Sequence, residues 1–148
     1  MTTTNTEKTP NVIGEHSLTS RMRKMEWRVT AIHTDALKPL GLNMYQAMSL
    51  VYIAQYGSER DVNQRSIERY LHLSNPGVSK IVGYLEKEGY VTRDSDPKDA
   101  RSYLLHATEK GREFAEKLNE VILEADREIL SPLTAEEQET LLKLLEKI

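Results

Sequence analysis

Between positions 64 and 101 the sequence gathers hydroxyl, amide and cationic side chains at spacings that suit contact with duplex nucleic acid. In residues 74–89, SNPGVSKIVGYLEKEG, the apolar Val78, Ile81, Val82 and Leu85 fall on one narrow face of a helix. The opposite face carries Pro76, Ser79, Lys80, Gly83, Tyr84 and Lys87, none of them acidic, while Glu86 and Glu88 sit toward the C-terminal end and off to the sides. A helix buried on one side and small, hydroxylic and cationic on the other is shaped to enter a DNA groove. Lys80 and Arg65 would neutralise phosphates, which gives affinity and salt dependence without sequence information. Asn75, Ser79 and Tyr84 suit hydrogen bonds to base edges or to the backbone. Gln64 and Arg65 lead a preceding helix, whose N-terminus can hold a phosphate. Ser74, Pro76, Gly77, Arg93, Lys98, Asp99 and Arg101 complete the candidate contacts. Gly83 in mid-helix costs about 0.5–1 kcal/mol relative to alanine. It reads either as close approach to a DNA backbone or as a tolerated residue on an exposed face.

These residues need elements to position them. Ser74 is placed to cap the helix over 74–89, and Pro76 is tolerable only in its first turn, where the missing N–H loses no partner. Gly89 ends it. Residues 90–93 and 102–106 read as two short strands around a polar turn over 94–101. Helix, strand, basic-tipped loop, strand is the pattern of a winged helix-turn-helix, with Arg101 set to reach an adjacent minor groove, where negative potential attracts arginine.

Upstream, Leu18, Met22, Met25, Val29, Ile32 and Ala36 alternate at spacings of four and three, a heptad-like seam on a helix capped by Ser17 and stopped at Pro39-Leu40-Gly41. Part of that seam needs a second subunit to cover it; Trp27 and His33 fall beside it. Asn43 caps a second helix over 44–56 with Ala47, Met48, Val51 and Ala54 inward. Val62 suggests a short edge strand, and Asn63 caps a third helix through Leu73 with Ile67, Tyr70 and Leu71 inward. Downstream, Thr108 opens a long helix to about Leu130, its apolar face Phe114, Leu118, Val121, Ala125 and Ile129. Ser131-Pro132 breaks it. Thr134-Ala135-Glu136-Glu137 has capping-box spacing and starts a last helix with Leu141, Leu142, Leu144, Leu145 and Ile148. So Leu-dense a terminal helix suggests a helical dimer interface.

The expected fold is therefore mainly α (α+β): six helices with a small antiparallel β wing. Residues 1–14 read as a flexible tail, 15–40 as an N-terminal dimerisation helix, 41–107 as a DNA-binding lobe and 108–148 as C-terminal dimerisation helices. The net charge of −3 is unevenly spread: +2 over residues 1–60, +1 over 61–112 and −6 over 113–148. A DNA face needs local, not global, positive charge, and the acidic C-terminal third keeps that end off phosphates. With no cysteine, disulfides, thiol redox sensing and Cys-containing zinc sites are excluded. No run approaches the roughly 18 apolar residues of a membrane span, and the first residues lack the apolar stretch of a signal peptide, so cytoplasmic residence is expected.

At this point the chain resembles the MarR family of winged helix-turn-helix transcriptional regulators. The residues that carry the resemblance are Gly41-Leu42-Asn43-Met44-Tyr45-Gln46, then Leu85-Glu86-Lys87-Glu88-Gly89-Tyr90-Val91-Thr92-Arg93, Asp96-Pro97-Lys98-Asp99-Ala100-Arg101 and Thr108-Glu109-Lys110-Gly111. The last two blocks are the more specific. The resemblance implies an obligate homodimer on a pseudo-palindromic operator, usually a repressor and often released by a small ligand, with Asp99 holding the wing tip and Arg101 in the minor groove. Recognition-helix roles map onto residues 75–84, although Asn-Pro-Gly replaces the more usual polar start. Two such helices would meet major grooves about 10 bp apart. A small aromatic or anionic effector could lie between the dimer helices and the DNA-binding lobe, near Arg23, Trp27, His33, Tyr45, Met48 and Tyr52. For each of these taken singly, packing is the plainer role.

Competing readings are weaker. A metal-responsive regulator would draw on His16, His33, His72 and His106, of which no two are spaced i, i+4. An enzyme has no support: there is no Gly-rich phosphate loop and no G-x-S-x-G, and the carboxylates lie mostly on polar helix faces. A winged helix used only for protein contacts remains open on fold grounds, but the non-acidic helix face and basic wing argue against it.

Overall fold

The computed structural model describes residues 14–148, so the tail expected over 1–14 lies, apart from Gly14, outside the described residues. Those described form α1 (Leu18–Leu37), a 3-10 turn (Lys38–Leu40), α2 (Met44–Tyr56), α3 (Gln64–Leu71), α4 (Asn75–Lys87), β1 (Val91–Asp96), β2 (Asp99–Ala107), α5 (Glu109–Leu130) and α6 (Ala135–Leu145). This is the mainly helical, winged helix-turn-helix architecture read from the sequence.

Side-chain capping sets the helix starts. Ser17, Asn43, Asn63, Thr108 and Thr134 each accept from the backbone N–H three residues on, satisfying a donor that has no partner inside the helix. At Asn43, Asn63 and Thr134 the bond is returned by Gln46, Ser66 and Glu137, closing capping boxes. Ser74 differs: it occupies the cap position of α4 in an extended conformation, but its side chain makes no capping bond. α3 ends at Leu71 rather than Leu73, because His72 turns into the left-handed region at φ 52° and closes the helix with its N–H on Glu68 O.

The core sits where α2, α3, α4, β2 and α5 converge. Val78, Ile81, Val82 and Leu85, the predicted inner face of α4, are all buried. α2 corrects the expected face: Ala47, Ser49, Leu50 and Ile53 are buried, whereas Met48, Val51 and Ala54 are half-buried. This helix is apolar around most of its circumference, so periodicity alone does not choose its inner side. Tyr70 is 43% exposed rather than inward. It stacks on Tyr52 with ring centroids 4.6 Å apart, and the Arg60 guanidinium lies 4.1 Å over the neighbouring Tyr56 ring.

The wing pairs Val91 with Ala107 through Ser95 with Tyr103, then shifts register so that Asp96 faces Asp99. The strands are longer than predicted, and the turn between them is only Pro97-Lys98. No strand forms at Val62. Instead Val62 is buried and its carbonyl accepts one bond, from Leu105 N at 2.7 Å.

α1 packs its C-terminal half on α5 through His33, 2% exposed, whose ring nitrogens lie 2.8 Å from Val29 O and 3.0 Å from Asp126 Oδ1. Its N-terminal half leaves apolar side chains uncovered, with Leu18, Met22 and Met25 at 67%, 49% and 37% exposure. α6 buries none of its residues. Leu142, Leu144, Leu145 and Ile148 stay open to solvent.

Candidate nucleic-acid interface

The N-termini of α3 and α4 and the outer side of the wing enclose a groove of about 550 Å³, lined by Gln64, Arg65, Asn75, Arg93, Asp99, Arg101, Ser102 and Tyr103. The first six were candidate DNA contacts from sequence. Three guanidinium groups meet there with one carboxylate, and the carboxylate of Asp99 is already engaged by a backbone N–H, that of Arg101, at 3.0 Å. Arg93 is held from behind, with its Nε 2.9 Å from Glu86 Oε2. A polar groove with two helix N-termini and converging arginines attracts anions through both backbone and side-chain donors.

The register shift shapes the wing tip. Ser95 faces Tyr103 and Asp96 faces Asp99, so Ala100, Arg101 and Ser102 have no partners on β1. Such an irregularity bends the strand and re-aims its side chains. Asp96 Oδ1 accepts from Lys98 N at 2.8 Å, and Asp99 Oδ1 accepts from Arg101 N, so two short acids fix the turn in place of ladder bonds. Arg101 is exposed. Lys98 reaches instead to Asp61 Oδ2 at 2.6 Å; that hydrogen bond, then the charge of the same carboxylate, holds the Lys98 ammonium above its usual pKa.

On α4, Ser79 and Lys80 are exposed, while Gly77, Gly83 and Tyr84 are half-buried. Burial, followed by the neighbouring Glu88 carboxylate, raises the Tyr84 hydroxyl above its usual pKa, so it remains a donor. A Cβ built on Gly83 meets nothing within 4 Å. Gly83→Ala is therefore expected to stabilise the free protein by about 0.5–1 kcal/mol in urea unfolding. A loss of duplex affinity in the same variant would assign Gly83 to close backbone approach, and unchanged affinity would leave it a tolerated glycine.

The far end of α4 is clamped. Gly89 turns the chain at φ 77°. The Thr108 hydroxyl donates to Gly89 O at 2.7 Å and accepts from Gly111 N at 3.0 Å, Thr108 N donates to Tyr90 O at 3.0 Å, and Lys110 Nζ donates to Glu88 O at 2.8 Å. The T-E-K-G block thus ties the end of α4 to the start of α5.

The proposed effector residues do not converge. Trp27 is 74% and Tyr45 50% exposed, and Arg23 also faces solvent, whereas His33 is buried with both nitrogens engaged. Tyr52 accepts from Arg60 at 3.0 Å within the tyrosine cluster, and Met48 is half-buried. A cleft of about 350 Å³ between α2 and α5 is lined by Val51, Ala54, Gln55, Arg112, Ala115, Glu116 and Asn119, none of them singled out from sequence as an effector residue. Of the histidines, His106 contacts Gly57 O at 3.1 Å and Asp94 at 3.5 Å. Among the described residues no cluster of three or more His, Asp or Glu is placed to hold a metal, and no helix is long and apolar enough to cross a membrane.

Sequence reasoning missed Ser102 and Tyr103 in the groove, and the acids Asp61, Glu68 and Glu86 that restrain Lys98, Asn75 and Arg93. Glu86 lies seven residues before Arg93, on the other side of the Gly89 turn, and Asp61 and Glu68 meet partners on other elements. No helical or strand period reports such pairs.

Residues 40–102 match the MarR family. An uncharacterised HTH-type transcriptional regulator of Bacillus subtilis (strain 168), YkoM, is 35% identical over 77 residues, which is 52% of this chain and 50% of that protein. The chain thus matches about half the length of that relative. The crystal structure of a probable transcriptional regulator from Pseudomonas aeruginosa superposes with a TM-score of 0.79 at 27% identity, covering 90% of this chain and 97% of that one. The Staphylococcus aureus MepR–DNA complex gives a TM-score of 0.79 at 21% identity, over 88% and 95% of the two chains, a likeness of fold.

Proposed function

We propose, from the premise that residues 40–102 match the MarR family and that 90% of the chain shares the fold of a probable transcriptional regulator, that this protein is a homodimeric, sequence-specific double-stranded DNA-binding transcriptional regulator, a repressor released by a small ligand. The observation that carries the reading is the groove in which Arg65, Arg93 and Arg101 converge on two helix N-termini beside the outer face of α4. Its position between helix and wing suits a phosphate strand, with α4 in the major groove and Arg101 in the minor groove. The fold shared with MepR, which is bound to DNA in its crystal structure, supports DNA as the partner.

Residues 15–40 and 108–148 form the dimerisation region in this reading. It is supported by the exposed apolar side chains of Leu18, Met22, Leu142, Leu145 and Ile148, large hydrophobic groups that the chain itself leaves uncovered at both of these segments. The pseudo-palindromic operator then follows from the two-fold. The α2–α5 cleft is the place for an effector: it offers Arg112 and Asn119 to an anionic or aromatic ligand and touches both the DNA-binding lobe and a dimerisation helix. Such a ligand acts only through different affinities for two spacings of the recognition helices.

The test is fluorescence anisotropy with genomic duplexes at 50 and 200 mM salt, with sedimentation velocity in parallel. Two chains per duplex and an affinity loss on the order of 10³-fold across that salt range, as for about six neutralised phosphates, are expected. A salt-independent interaction, or a monomer, would reject the reading in favour of a protein-contact module.

A further inference from the structure

We propose that Glu68 is a positioning residue that presets Asn75 to read an adenine, an inference that rests on the duplex-reading function above. Asn75 is the first residue of α4 and is exposed, at the end where a recognition helix meets base edges. Its Nδ2 donates to Glu68 Oε1 at 2.8 Å, across the turn between α3 and α4. A carboxylate only accepts, so Glu68 dictates which end of the amide turns toward it. The NH2 group faces Glu68 and Oδ1 is left outward. Nδ2 carries two hydrogens and Glu68 takes one. What remains is one donor and one acceptor on neighbouring atoms. Adenine offers the complement in the major groove, its N6 amino group beside the N7 acceptor, whereas guanine offers two acceptors and would set O6 against Oδ1. With Glu68 gone the amide turns freely, and that discrimination fades.

Two features make this bond a restraint. The side chain of Ser74 makes no cap at α4, so the Asn75–Glu68 bond supplies a side-chain tie between the two helices where the cap is missing. Glu68 is half-buried, and its carbonyl accepts the closing N–H groups of His72 and Leu73, which fixes its backbone on the turn. A carboxylate beside a phosphate-binding groove also opposes DNA by charge; it weakens affinity for every sequence, and its gain lies in selectivity.

The experiment is selection of bound sequences from a randomised duplex library, using the full chain and the variants Asn75→Ala, Glu68→Ala and Glu68→Gln, each checked by thermal unfolding. The unchanged protein is expected to favour adenine at one position of each half-site by about tenfold or more. Asn75→Ala flattens that position alone. Glu68→Ala flattens the same position, and Glu68→Gln, whose amide can either accept from Asn75 Nδ2 or donate to its Oδ1, weakens the preference part of the way. Uniform affinity changes from the removed charge are read separately, across all sequences. A Glu68→Ala protein that retains the preference, or a base other than adenine at the position Asn75→Ala flattens, overturns the proposal. An unchanged protein that retains no duplex at all overturns the duplex-reading function itself, and is thereby distinguished from one that selects sequences without regard to Glu68.

Discussion

Gly111→Ala is expected to lose about 3 kcal/mol of stability in urea unfolding and, in the protein that still folds, to weaken duplex binding as well. A Cβ on Gly111 would stand 2.0 Å from Tyr90 O and 2.9 Å from Tyr90 C. The obstacle is backbone, which cannot swing aside as a side-chain tip can. Moving it breaks the Thr108 N bond to Tyr90 O and disturbs the hydroxyl that bridges Gly89 O and Gly111 N. Tyr90 is also packed on Phe114, ring centroids 4.9 Å apart, with the Lys110 ammonium 4.8 Å over its ring. Overpacking costs about 1–3 kcal/mol, and each broken hydrogen bond adds about 0.5–1.5 kcal/mol. The affinity loss follows from place: these contacts hold the C-terminal end of α4, whose other end carries Asn75. A Gly111→Ala protein with unaltered stability would show that the α4–α5 junction is looser than the clamp implies.

That junction illustrates what the sequence could and could not reveal. The Thr-Glu-Lys-Gly block is legible as a helix start, because Thr108 is a good cap and Gly89 a good stop. Its tertiary role is not, since nothing in a local pattern says that Gly111 must pass under a carbonyl twenty-one positions earlier. The inner face of α4 was legible because polar residues flank four apolar ones at helical spacing. The inner face of α2 was not, because Met48, Val51 and Ala54 compete with Leu50 and Ile53 around an almost wholly apolar circumference. The wing was legible as strand, turn, strand from its Asp and Pro residues. The register shift that frees Arg101 depends on Asp99 bonding a backbone N–H two residues on, a choice local composition permits without dictating. The scattered effector residues mark the same boundary. Tyr52 was placed near a pocket by its position along α2, but it is drawn to Tyr70 and Arg60 on the other side.

Arg101→Ala should weaken duplex binding about 10- to 100-fold, the effect of removing one charge-assisted hydrogen bond, with the temperature of unfolding unchanged. The side chain is exposed, and the protein's own bonds at this position use only the Arg101 backbone N–H, which alanine keeps. The salt slope should fall by about one if the guanidinium meets a single phosphate. A loss confined to A·T-rich flanks would instead place it in a narrow minor groove, where its gain depends on groove width. Asp99 separates positioning from direct contact. Asp99→Asn retains the Oδ1 acceptor for Arg101 N and should bind nearly as well, or slightly better for the charge removed. Asp99→Ala frees the bulge and should show part of the weakening seen in Arg101→Ala. Adding Asp99→Ala to Arg101→Ala should cost little more, because both act on the same interaction. If the two effects instead add in full, Asp99 meets the duplex on its own account and the wing tip is not held in the way its geometry suggests.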